Sequence, residues 1–178
     1  GRGELWRSID GLSVLSGAAL AEGDAPAQRV LTHRPSARIH VRYRIIQDFE
    51  GAPNAEQGNA YRPVIQPTYF HFIGEAGLVT PEVSDINTPV RVSVRNLPRG
   101  WTFASDLQHG PLTLGRVWSS ITVGGDFRVI ERPEQNVRLA IRGNWGFTDE
   151  AFANEAANIV AGHRRFFGDA PSPYLVTV

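Results

Sequence analysis

The chain contains no cysteine, no methionine and no lysine. Without cysteine it cannot form a disulfide, a thiolate metal site or a thiol nucleophile. All eighteen basic residues are arginine, and eighteen acidic residues balance them, so the formal net charge is zero. This balance, without a clustered basic patch, argues against nucleic acid or an anionic membrane surface as a partner. No apolar run approaches the ~20 residues that a membrane-spanning helix needs.

The chain begins at Gly1, and because it has no methionine we expect Gly1 to mark a cloning boundary or a site of processing. Its 178 residues fit one full domain with part of a second, and an apolar content of 42% is enough to bury a core. The sequence does not decide whether the protein lies in the periplasm or in the cytoplasm. Cleavage of an export signal before Gly1 would favour the periplasm.

The first 147 residues have the pattern of β-strands separated by turns. Apolar and polar residues alternate over 38–45, which predicts one face in a core and one in water. The apolar face consists of Ile39, Val41, Tyr43 and Ile45. Asp10-Gly11 predicts a hairpin turn, and Gly124-Gly125 predicts a turn before the next strand. Further strands are predicted at 68–73, 77–80, 89–95, 101–104, 126–130 and 136–141, with exposed loops at 21–27 and 51–59.

Turn signals recur about every ten residues along this region. That spacing is typical of a mainly β protein, and we predict an antiparallel β-sandwich or a saddle-like pair of sheets. The sequence shows no convincing internal repeat. One C-terminal helix followed by a strand completes the predicted fold.

The C-terminal helix has clear signals at both ends. Thr148 can act as the N-cap, Asp149 and Glu150 place negative charge in the first turn, and Gly168 can close the helix in a left-handed conformation. Between these ends, apolar residues recur at spacings of three and four, which places them on one face. This face comprises Phe152, Ala156, Ile159, Val160, His163, Phe166 and Phe167. A Pro-Ser-Pro break then leads into a predicted strand over residues 174–178.

The pattern predicts two units: an N-terminal β-domain over residues 1–147, and a helix and strand over 148–178 at the entry to a truncated domain. A buried strand rarely ends a natural protein, so we expect the chain to be a piece of a longer one. We also expect the apolar helix face to pack back onto the β-domain, since a lone helix would expose it to water. The predicted domain-interface residues are Phe152, Ile159, Val160, Phe166 and Tyr174.

The sequence offers no recognised catalytic or metal-binding motif. Zinc hydrolases commonly place two histidines one helical turn apart, as in His-Glu-x-x-His, so that both imidazoles reach the metal. Here no two of the five histidines are closer than seven residues. The surroundings of His71 and His163 favour packing or surface hydrogen bonding over ligation. Asp149 and Glu150 point in different directions on a helix, so a role at the helix dipole suits them better than a carboxylate pair.

Six segments carry a family resemblance. They are Tyr-Phe-His-Phe-Ile-Gly at 69–74, the run from Val-Arg-Val-Ser-Val-Arg to Ala-Ser-Asp-Leu at 90–107, Gly-Asp-Phe at 125–127, and the segments at 137–145, 166–169 and 173–178. Together they resemble the front part of the glycyl aminopeptidase family, metallopeptidase family sixty-one. The first four resemble its N-terminal β-domain, and the last two resemble a helix end and the first strand of its catalytic domain.

The resemblance implies a non-catalytic N-terminal β-domain followed by a thermolysin-like zinc peptidase domain, often with a PDZ domain further on. The family's His-Glu-x-x-His helix and its downstream glutamate ligand would lie beyond Val178. No catalytic, cofactor-binding or metal-binding residue can therefore be assigned here, and the chain alone is not expected to be an enzyme. Zinc would belong to the missing catalytic domain, which is the implied partner and the route to a peptide substrate. The implied role is that of a scaffold and substrate gate.

Two alternatives stay open. The chain could be an independent β-sandwich module that binds carbohydrate or a protein partner through an aromatic platform. The candidate platform residues are Trp101, Phe103, Trp118 and Trp145, although their positions in β segments favour packing in a core or between domains. A small hydrolase with a site assembled in space, using His71 and His109, is the weaker alternative.

Overall fold

The computed structural model describes residues 2–54, 56–82, 85–108, 110–169 and 172–178. Over these residues the chain is mainly β, as predicted, with eleven strands and one long helix close to the C-terminus. The elements are β1 (Ile9–Ser16), β2 (Ala19–Glu22), β3 (Arg29–Thr32), β4 (His40–Ile45), β5 (Val64–Gln66), β6 (Tyr69–Ile73), α1 (Gly74–Gly77), β7 (Thr102–Ser105), α2 (Leu114–Ser119), β8 (Ile121–Gly125), β9 (Arg128–Arg132), β10 (Val137–Ile141), α3 (Asp149–Phe167) and β11 (Tyr174–Thr177). Short 3-10 helices lie at Arg2–Ser8, Asp106–Gln108 and Pro133–Gln135.

Two sheets and helix α3 form three layers. One sheet has the strand order β5-β6-β8-β7 and is antiparallel throughout, and the other has the order β11-β10-β9. Strand β10 is antiparallel to β9 and parallel to β11. A parallel pair needs a long crossover, which α3 supplies here. The prediction of antiparallel sheets with one C-terminal helix followed by a strand is confirmed.

Strand β10 lies at the centre because both of its faces are covered. On one face Leu139 and Ile141 pack against Ala153 and Ala157 of α3. Ala140 points to the opposite face, as the two-residue period of a strand requires, and there it packs against the four-stranded sheet. That second core consists of Ala104, Val123, Phe127 and Ala140.

Both predicted caps of α3 are present. The Thr148 hydroxyl accepts a hydrogen bond from the Ala151 amide at 3.2 Å, and Gly168 ends the helix with a φ of 72°. Strand β11 then forms where residues 174–178 predicted it. Its Tyr174 amide donates to the Asn136 carbonyl oxygen at 3.0 Å, which starts the parallel pairing with β10.

Two smaller two-stranded units lie outside these layers. Strands β1 and β4 pair antiparallel into a ribbon, and β2 and β3 form a hairpin. In β4 the residues predicted to face a core are half-buried at Tyr43 and Ile45, but Val41 is exposed. The inward prediction fails at Val41 because no second layer formed by the described residues covers that part of the ribbon.

The prediction of a strand at 89–95 is wrong. Only Pro89 forms an isolated bridge, to Thr113, and Val92 and Val94 are exposed. The alternation of valine with polar residues predicts a strand only if a neighbouring strand accepts its hydrogen bonds. No strand runs beside this segment among the described residues.

Two predicted turns are also wrong. Asp10-Gly11 lies within β1, where the pairing with β4 shifts register between Asp10 and Ser13 and Gly11 has a φ of 62°. The dipeptide therefore forms a bulge instead of a hairpin turn. Gly124-Gly125 ends strand β8, where a Cβ on Gly124 would lie 2.6 Å from the Phe70 ring. Glycine at position 124 therefore lets β8 pack closely against the Phe70 ring.

The remaining predicted loops and strands differ less. Residues 77–80 do not form a strand, because Gly77 ends helix α1 and the chain then continues without regular structure. The loop predicted at 21–27 is the hairpin connection, although residues 21 and 22 still belong to β2. Residues 51–54 and 56–58 are bends, turns and irregular chain as predicted, with Asn59 buried at the end of that loop.

Candidate functional site

The predicted interface residues divide into two groups. Phe152 and Val160 pack beside the core between α3 and β10, as expected for packing onto the β-domain. Ile159 is 59% exposed, Phe166 83% and Tyr174 52%, so the expectation that Ile159 and Phe166 pack inward is wrong. The buried face of α3 is centred on Ala153 and Ala157, and at 100° per residue Ile159 lies far round from it. The assignment of these residues to a domain interface stays a prediction.

An aromatic ladder lies where β10 connects to α3. The rings of Trp145 and Phe147 stack with their centroids 5.7 Å apart and their planes 12° apart. Phe147 in turn stacks on Phe152 at 5.5 Å and 22°. Trp145 is 45% exposed and Phe147 48%, so the ladder presents two half-exposed rings on the partly buried Phe152.

Hydrogen bonds fix the backbone and the ring at the outer end of this ladder. The Trp145 indole Nε1 donates to the Arg142 carbonyl oxygen at 3.1 Å. Arg128 binds Asp149 with two nitrogen atoms and also donates to the Gly143 carbonyl oxygen at 2.9 Å. Its guanidinium holds the pKa of the Asp149 carboxyl below its usual range. Arg128, Asp149 and the Trp145 indole are therefore already engaged in hydrogen bonds within the chain.

The ladder has a sequence signal that our reading of the sequence missed. Phe147 immediately precedes the N-cap Thr148, and Phe152 is the fourth residue of the helix. An apolar residue before the N-cap that packs on the fourth helical residue is a hydrophobic staple. Trp145 extends this staple by one ring, because Gly146 turns the chain between the two aromatic residues without adding a side chain.

A cavity of about 200 Å³ opens at the start of β10 and β11. Arg138 lines it, and its guanidinium donates to the Ser105 carbonyl oxygen at 2.6 Å while its buried Nε has no hydrogen-bond partner. Burial lowers the pKa of Arg138 and raises the pKa of Asp106, which also lines the cavity. Glu131 and Tyr174 also line the cavity. The carboxyl groups of Asp106 and Glu131 balance the guanidinium groups of Arg132 and Arg138, so the cavity has no excess of positive charge that would select an anion.

The histidines are spread over the described part of the chain. His71 lies in β6 between Val64 and Val123 of the neighbouring strands, and burial lowers its pKa. His40 contacts the Ser16 hydroxyl at 3.1 Å, and His163 meets the edge of the Phe167 ring. His109 lies outside the described residues. Among the residues that are described, no group of three or more His, Asp or Glu side chains could hold a metal ion.

The other aromatic candidates divide between core and surface. Phe103 is half-buried in β7, and Trp101, which immediately precedes β7, is half-buried and contacts Phe70 with ring centroids 6.0 Å apart. Trp118 is exposed on α2. Trp145 is therefore the one of the four candidates that the described structure stacks on another exposed ring.

Strand β11 forms one edge of its sheet. It pairs with β10 on one side, and no strand of the described residues lies on the other side. The amides of Tyr174 and Val178 donate to Asn136 and Ala140. Because backbone direction alternates along a strand, the amides of Leu175 and Thr177 point to the free edge. This edge could accept another strand.

No protein-family profile matches the chain, and no curated protein matches it either. In the described part of the chain, no helix combines the length and apolarity that crossing a membrane requires.

Proposed function

We propose that this chain is the non-catalytic N-terminal β-domain of a zinc aminopeptidase-like protein, in which it serves as a scaffold and substrate gate. The free edge of β11 is the observation that supports this most strongly. The edge belongs to a parallel pair, and parallel sheets are normally extended by further crossovers and covered on both faces. A further strand of the following domain added at this edge would bury the outward amides of Leu175 and Thr177.

The cavity supports the gating part of the proposal. It opens beside Tyr174 at the start of β11, so a domain docked along this edge would form one of its walls. Asp106 and Glu131 line it with carboxyl groups that suit the ammonium group at the start of a peptide, and Arg132 and Arg138 line it with guanidinium groups that balance their charge. The resemblance places zinc and the general-base glutamate in the following domain, where zinc would activate water. None of the residues described here provides a site for it.

The experiment compares the chain with a version extended through the following domain of its parent. We expect no aminopeptidase activity from the chain alone and zinc-dependent activity from the extended version. Activity in the short form, or none in an extended form with an intact His-Glu-x-x-His motif, would contradict the proposal.

The edge itself can be tested in the extended version with Thr177→Pro and the control Thr177→Ala. Proline removes an amide that points away from β10, so the pairing with β10 survives while strand addition is blocked. We expect activity to fall with proline and to persist with alanine. Equal activity in both variants would show that the following domain does not use this edge.

A second candidate function is a binding module, which the ladder of Trp145, Phe147 and Phe152 favours. Half-exposed stacked rings can bind the apolar face of a sugar or an extended peptide. Screening of glycan and peptide arrays with the unmodified chain and with Trp145→Ala tests this. Binding that Trp145→Ala removes would support it, and no binding by the unmodified chain would reject it.

A further inference from the structure

Helix α3 exposes a second stripe on the side turned away from the sheet. It consists of Glu155, Ile159, Gly162 and Phe166, which we call the outer stripe. Their spacings of four, three and four residues keep them on one helix face. That face is opposite Ala153 and Ala157, which are buried against β10. Ile159 and Phe166 are among the most exposed large apolar side chains of the described residues, and single helices in water do not usually present such a stripe uncovered.

Charge is distributed unevenly along this helix. Acidic residues occupy its first half and basic residues its last turn. Asp149 and Glu150 bind Arg128 and Arg132, and Arg164 donates to backbone carbonyl oxygens. Glu155 begins the outer stripe and Arg165 lies beside its other end, and neither forms an ion pair within the described residues.

An identical helix placed antiparallel satisfies both ends of the stripe. If the two-fold axis passes between Ile159 and Gly162, Glu155 of one copy lies opposite Arg165 and Phe166 of the other, and the same contact recurs at the far end. Each Ile159 then lies over Gly162 of the other copy. Antiparallel packing also sets the positive end of each helix dipole beside the negative end of the other.

Gly162 fits this arrangement better than it fits the single chain. A Cβ added there would approach only the Arg165 guanidinium, at 3.9 Å. Nothing within the described molecule therefore needs a glycine at this position, and glycine is unfavourable inside a helix. Between two helices, the missing side chain would let the backbones approach and would leave room for Ile159.

We propose that two copies of this chain associate through their outer stripes, with the two α3 helices antiparallel. The proposal goes beyond the function proposed above, and it replaces part of the predicted domain interface. Ile159 and Phe166 face the second copy, whereas Tyr174 and the free edge of β11 remain available to a following domain. The contact spans about 18 Å of helix between Glu155 and Phe166, so the association is expected to be reversible and concentration-dependent.

Analytical ultracentrifugation of the chain, up to about 100 µM, tests this. We expect the weight-average mass to rise with concentration from the 19.6 kDa of one chain towards twice that value. Phe166→Glu should keep it at 19.6 kDa, because it places a carboxylate in the contact. The matched control Leu15→Glu changes an exposed apolar side chain of the β1–β4 ribbon and should leave the association unchanged.

Charge reversal distinguishes the antiparallel arrangement from general stickiness. Glu155→Arg alone and Arg165→Glu alone each place like charges together and should raise the dissociation constant roughly fivefold or more. The double variant Glu155→Arg with Arg165→Glu should restore it. A monomer at every concentration, equal weakening by Leu15→Glu, or no restoration in the double variant would overturn the proposal. In the first case the outer stripe would return to the predicted domain interface.

Discussion

The burial of a single side chain in a strand depends on the strands beside it, and His71 is the clearest example. It occupies the middle of β6, directly across from Val64 on one side and Val123 on the other. Apolar neighbours disfavour the charged imidazolium, so burial lowers the pKa of His71 below 6.5. The strand prediction for residues 68–73 was correct, but sequence alone did not tell whether His71 would point to solvent or to a core. That depended on which strands became its neighbours.

The lowered pKa makes His71 a source of pH-dependent stability. The unfolded chain takes up a proton on this residue near pH 6.5, whereas the folded chain does so only at lower pH. Stability is therefore complete above about pH 6.5 and falls as the pH drops towards the folded pKa, by at most about 1.4 kcal/mol per pH unit. Urea unfolding between about pH 7.5 and 5 measures this free energy.

His71→Leu should flatten the pH dependence in this range. The matched control is His33→Gln, since His33 is exposed and contacts only the Arg34 carbonyl oxygen within the described structure; it should keep the wild-type slope. Parallel curves for His71→Leu and the unmodified chain would mean that another group causes the pH dependence.

Whole elements were predictable where their signals are local. The N-cap Thr148 and the C-cap Gly168 act within one helical turn, so both ends of α3 were correct. The prediction of β10 was also correct. A strand that is covered on both faces is rich in apolar residues, and the sequence of β10 has this composition. Residues 89–95 alternate as regularly as 38–45, but a strand also needs a partner with free hydrogen-bonding groups. The sequence does not encode that partner locally, and the prediction failed there.

The same limit applies to the candidate sites. The ladder was partly predictable, since Trp145 was a candidate and the staple of Phe147 with Phe152 has a fixed spacing. The cavity was not. Arg138 and Asp106 are thirty-two residues apart, and only the packing of the two sheets brings them to one cavity. The outer stripe was visible as an apolar pattern, but its exposure depended on Ala153 and Ala157 turning the other face of α3 towards β10.

The glycine inside α3 and the glycine that caps its C-terminal end should respond in opposite ways to substitution by alanine. Gly162 lies inside the helix with room for a Cβ, so Gly162→Ala should raise the free energy of unfolding by roughly 0.5–1 kcal/mol. Gly168 has a φ of 72°, which strains alanine, so Gly168→Ala should lower it by about 1 kcal/mol. Urea unfolding at low protein concentration, where any dimer has dissociated, measures both. A shift of the same sign in both variants would contradict the assigned helix interior and cap.

The whole molecule combines a layered body, formed by the two larger sheets and α3, with an N-terminal part that consists of the more exposed β1–β4 ribbon and β2–β3 hairpin. Strands β8 and β10 lie between neighbours on both sides and contribute five of the nine buried residues of the two core clusters. The β1–β4 ribbon is anchored near its base, where the Tyr43 hydroxyl accepts from the Val79 amide and buried Arg62 pairs with Asp48 at 2.6 Å. The β2–β3 hairpin extends beyond these anchors, and every residue of β3 is exposed.

This difference predicts a gradient of local stability that amide hydrogen exchange can measure. A two-stranded hairpin is marginal in water, so the amides of β2 and β3 should exchange through openings that cost little free energy. The amides of β8 and β10 should exchange only on global unfolding. Leu139→Ala, at a fully buried position in β10, should lower the free energy of unfolding by about 2–5 kcal/mol and speed exchange in both strands. The control Val30→Ala, at a half-exposed position in β3, should leave exchange in β10 unchanged. If β2 and β3 instead exchange as slowly as β10, the hairpin unfolds together with the layered body, and the predicted gradient of local stability is wrong.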